Sequence, residues 1–350
     1  KKFEEILINI NDKNFFHSIG FDKWLFKVFI KNYYEIFINL YFRFNDASKS
    51  LNKLNKKYKF FKYIYGVELP VANYVNSLFN SKRIKSLALS HGGVLGHYKN
   101  WPYMFFLLIK NKYAYYQVFS YKLKEALKKT FRTYKNNYFK NLFIIPSFSL
   151  INLKETSFFR KNQNYSEKIK NVCYVCSKNF HIYDLKKKEH SNKQLLELRL
   201  KLSEIFKKNS NINFTIKNYS GENFLFDQKN ISSKNIIYIS DGILKDLDQK
   251  FDLFILESES TSLVEVACLS KKTICLQREY PTLLNSRYQK LKKSVLFCKK
   301  SNEFLKKIND LLKTKKIKKF TKSSFADDYY NIHDINHSEL KKSLDNFINT

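Results

Sequence analysis

The sequence predicts an α/β protein built on mostly parallel sheets. Its second half alternates short apolar runs with amphipathic stretches, which is the pattern of strands joined by crossover helices. The chain has 350 residues, 44% of them hydrophobic, and is therefore long enough for two domains with their own cores. A polar turn at residues 257–262 separates an apolar run from a helical pattern, which is where open α/β sheets bind ligands. We expect two Rossmann-like domains that face a cleft.

The first domain, residues 1–150, is predicted to be rich in helices. Helical patterns cover residues 21–44 and 53–64. Strands are expected at residues 84–89, 113–119 and 142–145. Because the chain begins at Lys1 and not at a methionine, we expect this domain to be incomplete. Residues 151–170 lose periodicity and gain polar residues, which predicts a linker.

The second domain, residues 171–315, is predicted to be Rossmann-like because strands and helices alternate along it. Strands are expected at residues 172–176, 213–217, 236–239, 251–256, 273–276 and 295–297. Helices are expected at residues 193–208, near 244, at 262–269 and at 302–312. The tail, residues 316–350, carries a helical pattern at 338–348 that we expect to pack across the first domain.

A row of hydroxyls and carboxylates follows the fourth strand of this second domain. Glu259, Ser260, Thr261 and Ser262 form the turn, and Glu265 lies in the next helical pattern. Ser262 and Glu265 have the spacing of a capping box, so we expect the helix to open there. Free amides at a helix N-terminus favour phosphate, and a carboxylate can accept ribose hydroxyls. The turn is a candidate site for a nucleoside diphosphate, although capping alone also explains Glu265.

A second polar loop follows the predicted strand at residues 84–89. Gly92 and Gly93 allow the backbone to approach a ligand closely, and His91 beside them can donate to a phosphate or move a proton. A tight turn with an incidental histidine explains the same residues. The sequence has neither the glycine spacing of a dinucleotide fingerprint nor a P-loop lysine motif.

The pair Asp246 and Asp248 has the spacing of a metal-binding carboxylate motif. It precedes a predicted strand and lies among lysines, so we interpret it as a solvated turn. We expect metal-independent chemistry, in which a helix dipole and basic side chains stabilise a departing diphosphate. Lys217 and Arg278 are candidates for that role, and surface charge is the alternative for both.

The chain has a formal net charge of +33, with 64 lysines and arginines against 31 aspartates and glutamates. Such a charge attracts nucleic acid, anionic glycans or acidic lipids. Zinc-finger and RNP patterns are missing, which argues against specific recognition of nucleic acid. Lysines interrupt residues 21–44, so this segment is predicted to be a packed amphipathic helix or one lying on a membrane, and not a membrane span. Five cysteines without a secretory leader predict a cytosolic setting, and Cys173 and Cys176 are interpreted as parts of a buried strand.

The run at residues 252–276 resembles the C-terminal signature of GT-B glycosyltransferase-like proteins, especially bacterial surface-carbohydrate and capsule transferases. Glycerophosphotransferases and Kdo transferases are more distantly similar. In this family a His-Gly loop of the N-terminal, acceptor-side domain faces a Ser/Thr-rich helix start of the donor domain. The resemblance implies a catalytic His91. It also implies that the donor is bound by Gly92, Gly93, Ser260, Thr261, Ser262 and Glu265. We add Glu259 of the same turn and the basic candidates Lys217 and Arg278 to the predicted donor-binding residues.

The same block is similar to nucleotide-sugar 2-epimerases. Residues 259–262 would occupy the place of an Asp-Ser-Gly-Gly turn, and Arg278 falls where that family carries an arginine. Thr261 and Ser262 replace the two glycines, which changes how closely a phosphate can approach.

These features together lead us to expect a GT-B-like, metal-independent transferase with no cofactor. It would move a glycosyl or related phosphate-activated group from a nucleotide-linked donor to a cell-surface glycan or a lipid-linked acceptor. The alternatives are a nucleotide-sugar 2-epimerase-like enzyme and a non-catalytic, basic nucleic-acid-binding protein. We expect a cytoplasmic protein with peripheral contact to the inner face of an anionic membrane.

Overall fold

Two parallel sheets organise the chain. The computed structural model describes residues 45–46, 48–50, 52–53, 56–57, 62–66, 83–89, 97, 114–130, 142–147, 150–153, 168–177, 192–218, 233–239, 251–269, 271–277, 283–314, 324–330 and 337–349. The predicted helices at 21–44 and near 244 lie outside these residues. So do four of the predicted site residues, namely His91, Gly92, Gly93 and Arg278.

The first sheet has four parallel strands in sequence order. They are β1 (Lys62–Gly66), β2 (Lys85–Leu89), β3 (Ala114–Val118) and β4 (Leu142–Ile144). The three strands predicted in this half are confirmed. The helix predicted at 53–64 is wrong at its end, because β1 begins at Lys62 and pairs with β2 through Lys62 and Lys85. The run of Tyr63, Ile64 and Tyr65 has the aromatic and β-branched composition of a strand.

The second sheet has six parallel strands in the order β10-β9-β8-β5-β6-β7. They are β5 (Asn171–Val175), β6 (Asn213–Lys217), β7 (Ile236–Ile239), β8 (Leu253–Leu256), β9 (Thr273–Leu276) and β10 (Val295–Cys298). This is the strand order of a dinucleotide-binding domain, so the predicted Rossmann-like domain is confirmed. The chain runs outward from β5 to β7, then returns to β8 on the other side of β5. The carboxyl ends of β5 and β8 therefore flank the point where the strand order diverges.

Seven helices are given labels here, and further helical residues lie at 45–46, 48–50, 52–53, 56–57 and 150–153. The labelled helices are α1 (Tyr121–Thr130), α2 (Asn192–Lys208), α3 (Thr261–Cys268), α4 (Asn285–Leu291), α5 (Ser301–Thr314), α6 (Phe325–Tyr329) and α7 (His337–Asn349). The helices α2, α3, α5 and α7 confirm sequence predictions to within two residues at every end, whereas α1, α4 and α6 were not predicted. Across the described ranges, none of the helices combines the length and apolar character needed to cross a bilayer.

Two hydrophobic cores hold these elements together. One core packs α2 and α5 on one face of the second sheet, through side chains such as Phe206 and Phe304. The other joins residues of both sheets and includes Phe325 and Tyr329 of α6. The tail helix α7 places Phe347 edge-on against Tyr115 and Phe143 of the first sheet, at ring distances of 5.4 and 5.8 Å. The tail therefore packs on the first sheet, as its helical pattern predicted.

Candidate functional site

The candidate site lies at the carboxyl ends of β8, β5 and β6. Val175 is in register with Leu256 on one side and with Lys217 on the other. The chain segments that follow these three strands therefore begin side by side along the sheet. Parallel strands bring their carboxyl ends to one edge, so Lys217 and the polar turn after Leu256 share that edge.

Helix α3 begins earlier than its capping-box pattern predicts. Ser260 is the N-cap, with extended φ and ψ of −108° and −170°, and its carbonyl accepts the amide of Leu263 at 3.0 Å. The predicted box of Ser262 with Glu265 is wrong, because Ser262 already lies inside the first helical turn. Consecutive hydroxyl residues each satisfy the preference for an N-cap, so the helix start depends on the tertiary path of the chain.

The helix start presents a row of donors. Ser260, Thr261 and Ser262 are all partly exposed, and the Ser260 side chain makes no capping hydrogen bond. Within the described part of the chain, the backbone amides of Thr261 and Ser262 have no hydrogen-bond acceptor. Free amides at the N-terminus of a helix carry partial positive charge. Together with the hydroxyls, they form a surface suited to an anion such as a phosphate.

Glu265 lies next to this row, on the same helix. Burial raises the pKa of its carboxyl to about 7, and the nearby Lys217 ammonium partly opposes that rise. The structure thus brings together two predicted site residues, Lys217 of β6 and Glu265 of α3. Since the capping box does not form, helix capping no longer explains Glu265. Its carboxylate is a hydrogen-bond acceptor that changes charge near neutral pH.

Glu259 has a different position from the other predicted residues of the turn. Its side chain is only 4% exposed, and its Oε1 accepts a hydrogen bond from Nε2 of Gln277 at 3.3 Å. Gln277 follows β9, the next strand of the sheet. The structure therefore directs Glu259 into the fold, where it ties the turn to β9.

A buried ion pair under the turn was missed by sequence reasoning. Arg199 of α2 and Glu257, the first residue after β8, are both fully buried. Arg199 donates from Nε to Oε1 of Glu257 at 2.6 Å and from Nη2 to Oε2 at 2.7 Å. The Glu257 carboxylate also accepts hydrogen bonds from the Tyr174 hydroxyl and from the amide and hydroxyl of Ser177. One signal was available, because Arg199 interrupts the apolar positions of α2 in a chain whose cations are mostly lysines.

A second buried cluster joins the end of the glycine loop to α4 and α6. His97 is fully buried, and Nε of Arg287 donates to its Nδ1 at 3.2 Å. Because a guanidinium only donates, the ring proton lies on Nε2 and is donated to the Tyr330 hydroxyl at 2.7 Å. Burial, followed by the charge of Arg287, holds the pKa of His97 well below its usual value. The neutral His97 thus fastens the chain six residues after His91 to the second half of the protein.

The two cysteines near β5 and an aspartate of the tail are explained without a ligand. Cys173 and Cys176 are free and buried, in agreement with the predicted buried strand. Burial raises the pKa of the Cys173 thiol to about 12. Asp328 in the tail pairs with Lys290 and, at 3.5 Å, with Lys122. Asp246 and Asp248 lie outside the described residues.

Comparison with known proteins identifies the fold. No protein-family model and no curated protein matches the sequence. Among solved structures, S. aureus MnaA in a co-structure with UDP has a TM-score of 0.56 at 10% identity, over 87% of this chain and 80% of that one. The Neisseria meningitidis UDP-GlcNAc 2-epimerase bound to UDP-GlcNAc has a TM-score of 0.56 at 11% identity, over 89% and 82%. The Methanocaldococcus jannaschii UDP-GlcNAc 2-epimerase, solved with UDP-GlcNAc and UDP, has a TM-score of 0.55 at 12% identity, over 88% and 81%.

Identities this low establish a shared fold and nothing about the reaction. The chain has the α/β fold, with parallel sheets, of these solved structures. The predicted GT-B-like fold class is confirmed.

Proposed function

We propose that this chain is an enzyme of nucleotide-activated sugars that holds the donor diphosphate at the start of α3. The observation that carries the proposal is the hydroxyl-lined helix N-terminus formed by Ser260, Thr261 and Ser262. It lies at the carboxyl edge of the second sheet, beside the divergence of β5 and β8. Nucleotides bind at this place in sheets of this strand order, with the diphosphate at a helix N-terminus.

The diphosphate would be bound by donors of two kinds. The amides of Thr261 and Ser262 and the neighbouring hydroxyls supply hydrogen bonds to its oxygens. Lys217 supplies a full positive charge from the end of β6, close enough to Glu265 to lower the pKa of that carboxyl. Fixed dipoles and a cation at this position would also stabilise the diphosphate as it departs from the sugar.

Glu265 would accept the hydroxyls of the ribose. An ionised carboxylate accepts two hydroxyl donors more strongly than a protonated carboxyl does, and burial places the pKa of Glu265 at about 7. Ribose binding at this position should therefore favour loss of the proton. A bound nucleoside would lower the pKa of Glu265, and nucleoside affinity would increase with pH through neutrality.

The other predicted residues complete the proposed site. His91 is assigned acid/base catalysis or phosphate contact, with Gly92 and Gly93 allowing close approach of the donor. Arg278 is assigned to the donor phosphates. Glu259 supports the turn through Gln277, in keeping with its burial.

We propose glycosyl transfer to a cell-surface glycan or lipid-linked acceptor as the reaction. The support is the similarity of residues 252–276 to surface-carbohydrate transferases. The second candidate is 2-epimerisation of a nucleotide sugar, which the fold likeness to UDP-GlcNAc 2-epimerases favours. Both reactions require the same diphosphate site. For a transferase acting on lipid-linked acceptors, the charge of +33 supports peripheral contact with an anionic inner membrane surface from the cytoplasm.

Binding and product analysis test the proposal in sequence. UDP, CDP, GDP and CMP are first compared by thermal shift and calorimetry, since ligand at 100 times Kd stabilises a protein by about 2.7 kcal/mol. We expect one nucleotide class to bind, with UDP tested first. The protein is then incubated with the corresponding nucleotide sugar, with and without acceptor glycans.

The outcomes separate the candidate functions. An epimer formed without acceptor identifies the epimerase, whereas sugar transferred only when acceptor is present identifies the transferase. Failure of every nucleotide to bind, combined with DNA binding that falls about 10³-fold or more between 50 and 200 mM salt, would replace the proposal with the nucleic-acid-binding alternative.

A further inference from the structure

The fully buried pair of Arg199 and Glu257 lies directly under the proposed diphosphate site. Glu257 directly follows β8 and opens the turn that leads to the N-cap Ser260. Its two carboxylate oxygens accept hydrogen bonds from Arg199, from the Tyr174 hydroxyl and from Ser177. Hydrogen bonds therefore hold both carboxylate oxygens of Glu257, the first residue of the proposed ligand turn.

Arg199 also connects the two strands that flank the divergence point. Its Nη2 donates to Oε2 of Glu257 at 2.7 Å and to the carbonyl oxygen of Ser177 at 2.9 Å. Ser177 follows β5, whereas Glu257 follows β8. The amide of Ser177 returns a hydrogen bond to Oε2 of Glu257 at 2.6 Å. A single guanidinium on α2 thus holds the chain segments leaving both strands in one arrangement.

Stability is a poor explanation for this pair. Desolvating two charges costs so much that well-packed apolar residues of similar volume are often as stabilising or more so. What such a pair provides is defined geometry, because the planar guanidinium contacts both carboxylate oxygens at once. The pair also has an electrostatic effect on the site, since an unpaired Glu257 carboxylate below the turn would repel a bound diphosphate. Arg199 neutralises that charge.

We infer that Arg199, acting through Glu257 and Ser177, is a positioning residue that preorganises the turn at residues 257–262 for a diphosphate. The identity of the ligand rests on the proposed function, whereas the order of the turn rests on the hydrogen bonds of Arg199 and Glu257. A site whose donors are already fixed loses less conformational freedom when the ligand binds. Displacing such donors by a fraction of a bond length is enough to weaken binding.

The central variant is R199M/E257Q, which removes both charges, approximately conserves volume, and leaves an acceptor for Ser177. N235A is the matched control. Asn235 is also buried, its side chain donates to the carbonyls of Phe206, Asn209 and Ile212, and it lies at the opposite end of the sheet, before β7. R199K keeps the charge but cannot reproduce the planar two-point contact. It replaces R199M/E257Q as the test variant if the double variant does not fold.

Two measurements are made on the full chain. Amide hydrogen exchange of the apo protein follows the peptide that spans residues 257–265, and calorimetry gives the Kd for UDP. In R199M/E257Q we expect exchange in that peptide to become about tenfold faster, with the rest of the second sheet unchanged. We expect the Kd for UDP to rise about tenfold or more. R199K should fall between this variant and the wild type, and N235A should lose thermal stability without either change.

Each result decides the inference. Exchange and Kd that match the wild type in R199M/E257Q, or in R199K if the double variant fails to fold, would make the pair merely structural and overturn it. An equal rise in Kd for N235A would also overturn it, because global stability would then explain the loss. If the wild type binds no nucleotide, the proposed function fails, while the exchange data still decide whether Arg199 orders the turn.

Discussion

Replacing Glu265 with glutamine should stabilise the protein at alkaline pH and leave its stability unchanged at acidic pH. Burial raises the pKa of Glu265 from an ordinary value of 4.5 to about 7. Between these values the folded protein binds more protons than the unfolded chain, so the free energy of unfolding falls as pH rises through this window. Glutamine resembles the protonated carboxyl and removes this dependence.

The magnitude follows from the pKa. The gap between 4.5 and about 7 corresponds to about 3 kcal/mol at 1.36 kcal/mol per pKa unit. Glu265 is partly exposed, so solvent screening reduces this to about 1.5 kcal/mol. We therefore expect E265Q to raise the free energy of unfolding by about 1.5 kcal/mol at pH 8 and by nearly nothing at pH 4.5. Urea unfolding followed by circular dichroism at both pH values measures the difference.

Glu303 supplies the matched control. A hydrogen bond from Lys307, supported by the amide of Lys299, lowers the pKa of its carboxyl, so E303Q should reduce stability at pH 8. The opposite signs of E265Q and E303Q distinguish desolvation from a general effect of removing a negative charge from a basic protein. If E265Q destabilises the protein equally at pH 4.5 and pH 8, the carboxyl is not desolvated as described, and the reasoning is refuted.

Three further outcomes are expected. The affinity for UDP should fall as pH decreases from 8 to 6 in the wild type, because a protonated Glu265 accepts ribose hydroxyls poorly. Calorimetry on E265Q should show a shallower pH profile, set by the terminal phosphate of UDP alone, and an equally steep profile in the variant would exclude Glu265 as a source of the dependence. F347A should cost about 3–5 kcal/mol in urea unfolding, because the ring is 2% exposed between Tyr115 and Phe143, and a cost below about 1 kcal/mol would contradict the packing of α7 on the first sheet. All five cysteines should resist a thiol reagent at pH 8 until urea is added, since they are buried and the pKa values of Cys173 and Cys298 are raised to about 12; rapid native labelling would contradict their burial.

The second sheet could be predicted closely because its strands are continuous apolar runs. β8 and β9 are buried along their whole length, and buried parallel strands have this composition. The first half carried weaker signals. At residues 53–66 lysines alternate irregularly with aromatic residues. The helical pattern predicted there therefore ran on into the residues that form β1. Pairing of β1 with β2 joins residues distant in sequence and leaves no local trace.

The site was predictable as a turn but not as an arrangement of side chains. Three consecutive hydroxyl residues made several helix starts equivalent, and the tertiary path of the chain selected Ser260. Arg199 and Glu257 lie on different elements, and nothing in their spacing links them. Burial of Glu259 likewise depends on β9 as a neighbour, through Gln277. Contacts between distant elements thus decided which polar residues face outward.

One titration tests the central claim most directly. UDP is titrated by calorimetry into the wild type, into the S260A/T261A double variant, and into S301A, which removes a hydroxyl at the start of α5 instead. Each lost hydrogen bond to a charged group is worth about 1.5–3 kcal/mol, so the double variant should bind at least about tenfold more weakly while unfolding at an unchanged temperature. S301A should bind as the wild type does. Equal affinity of the wild type and the folded double variant would contradict the assignment of the α3 start as the diphosphate site.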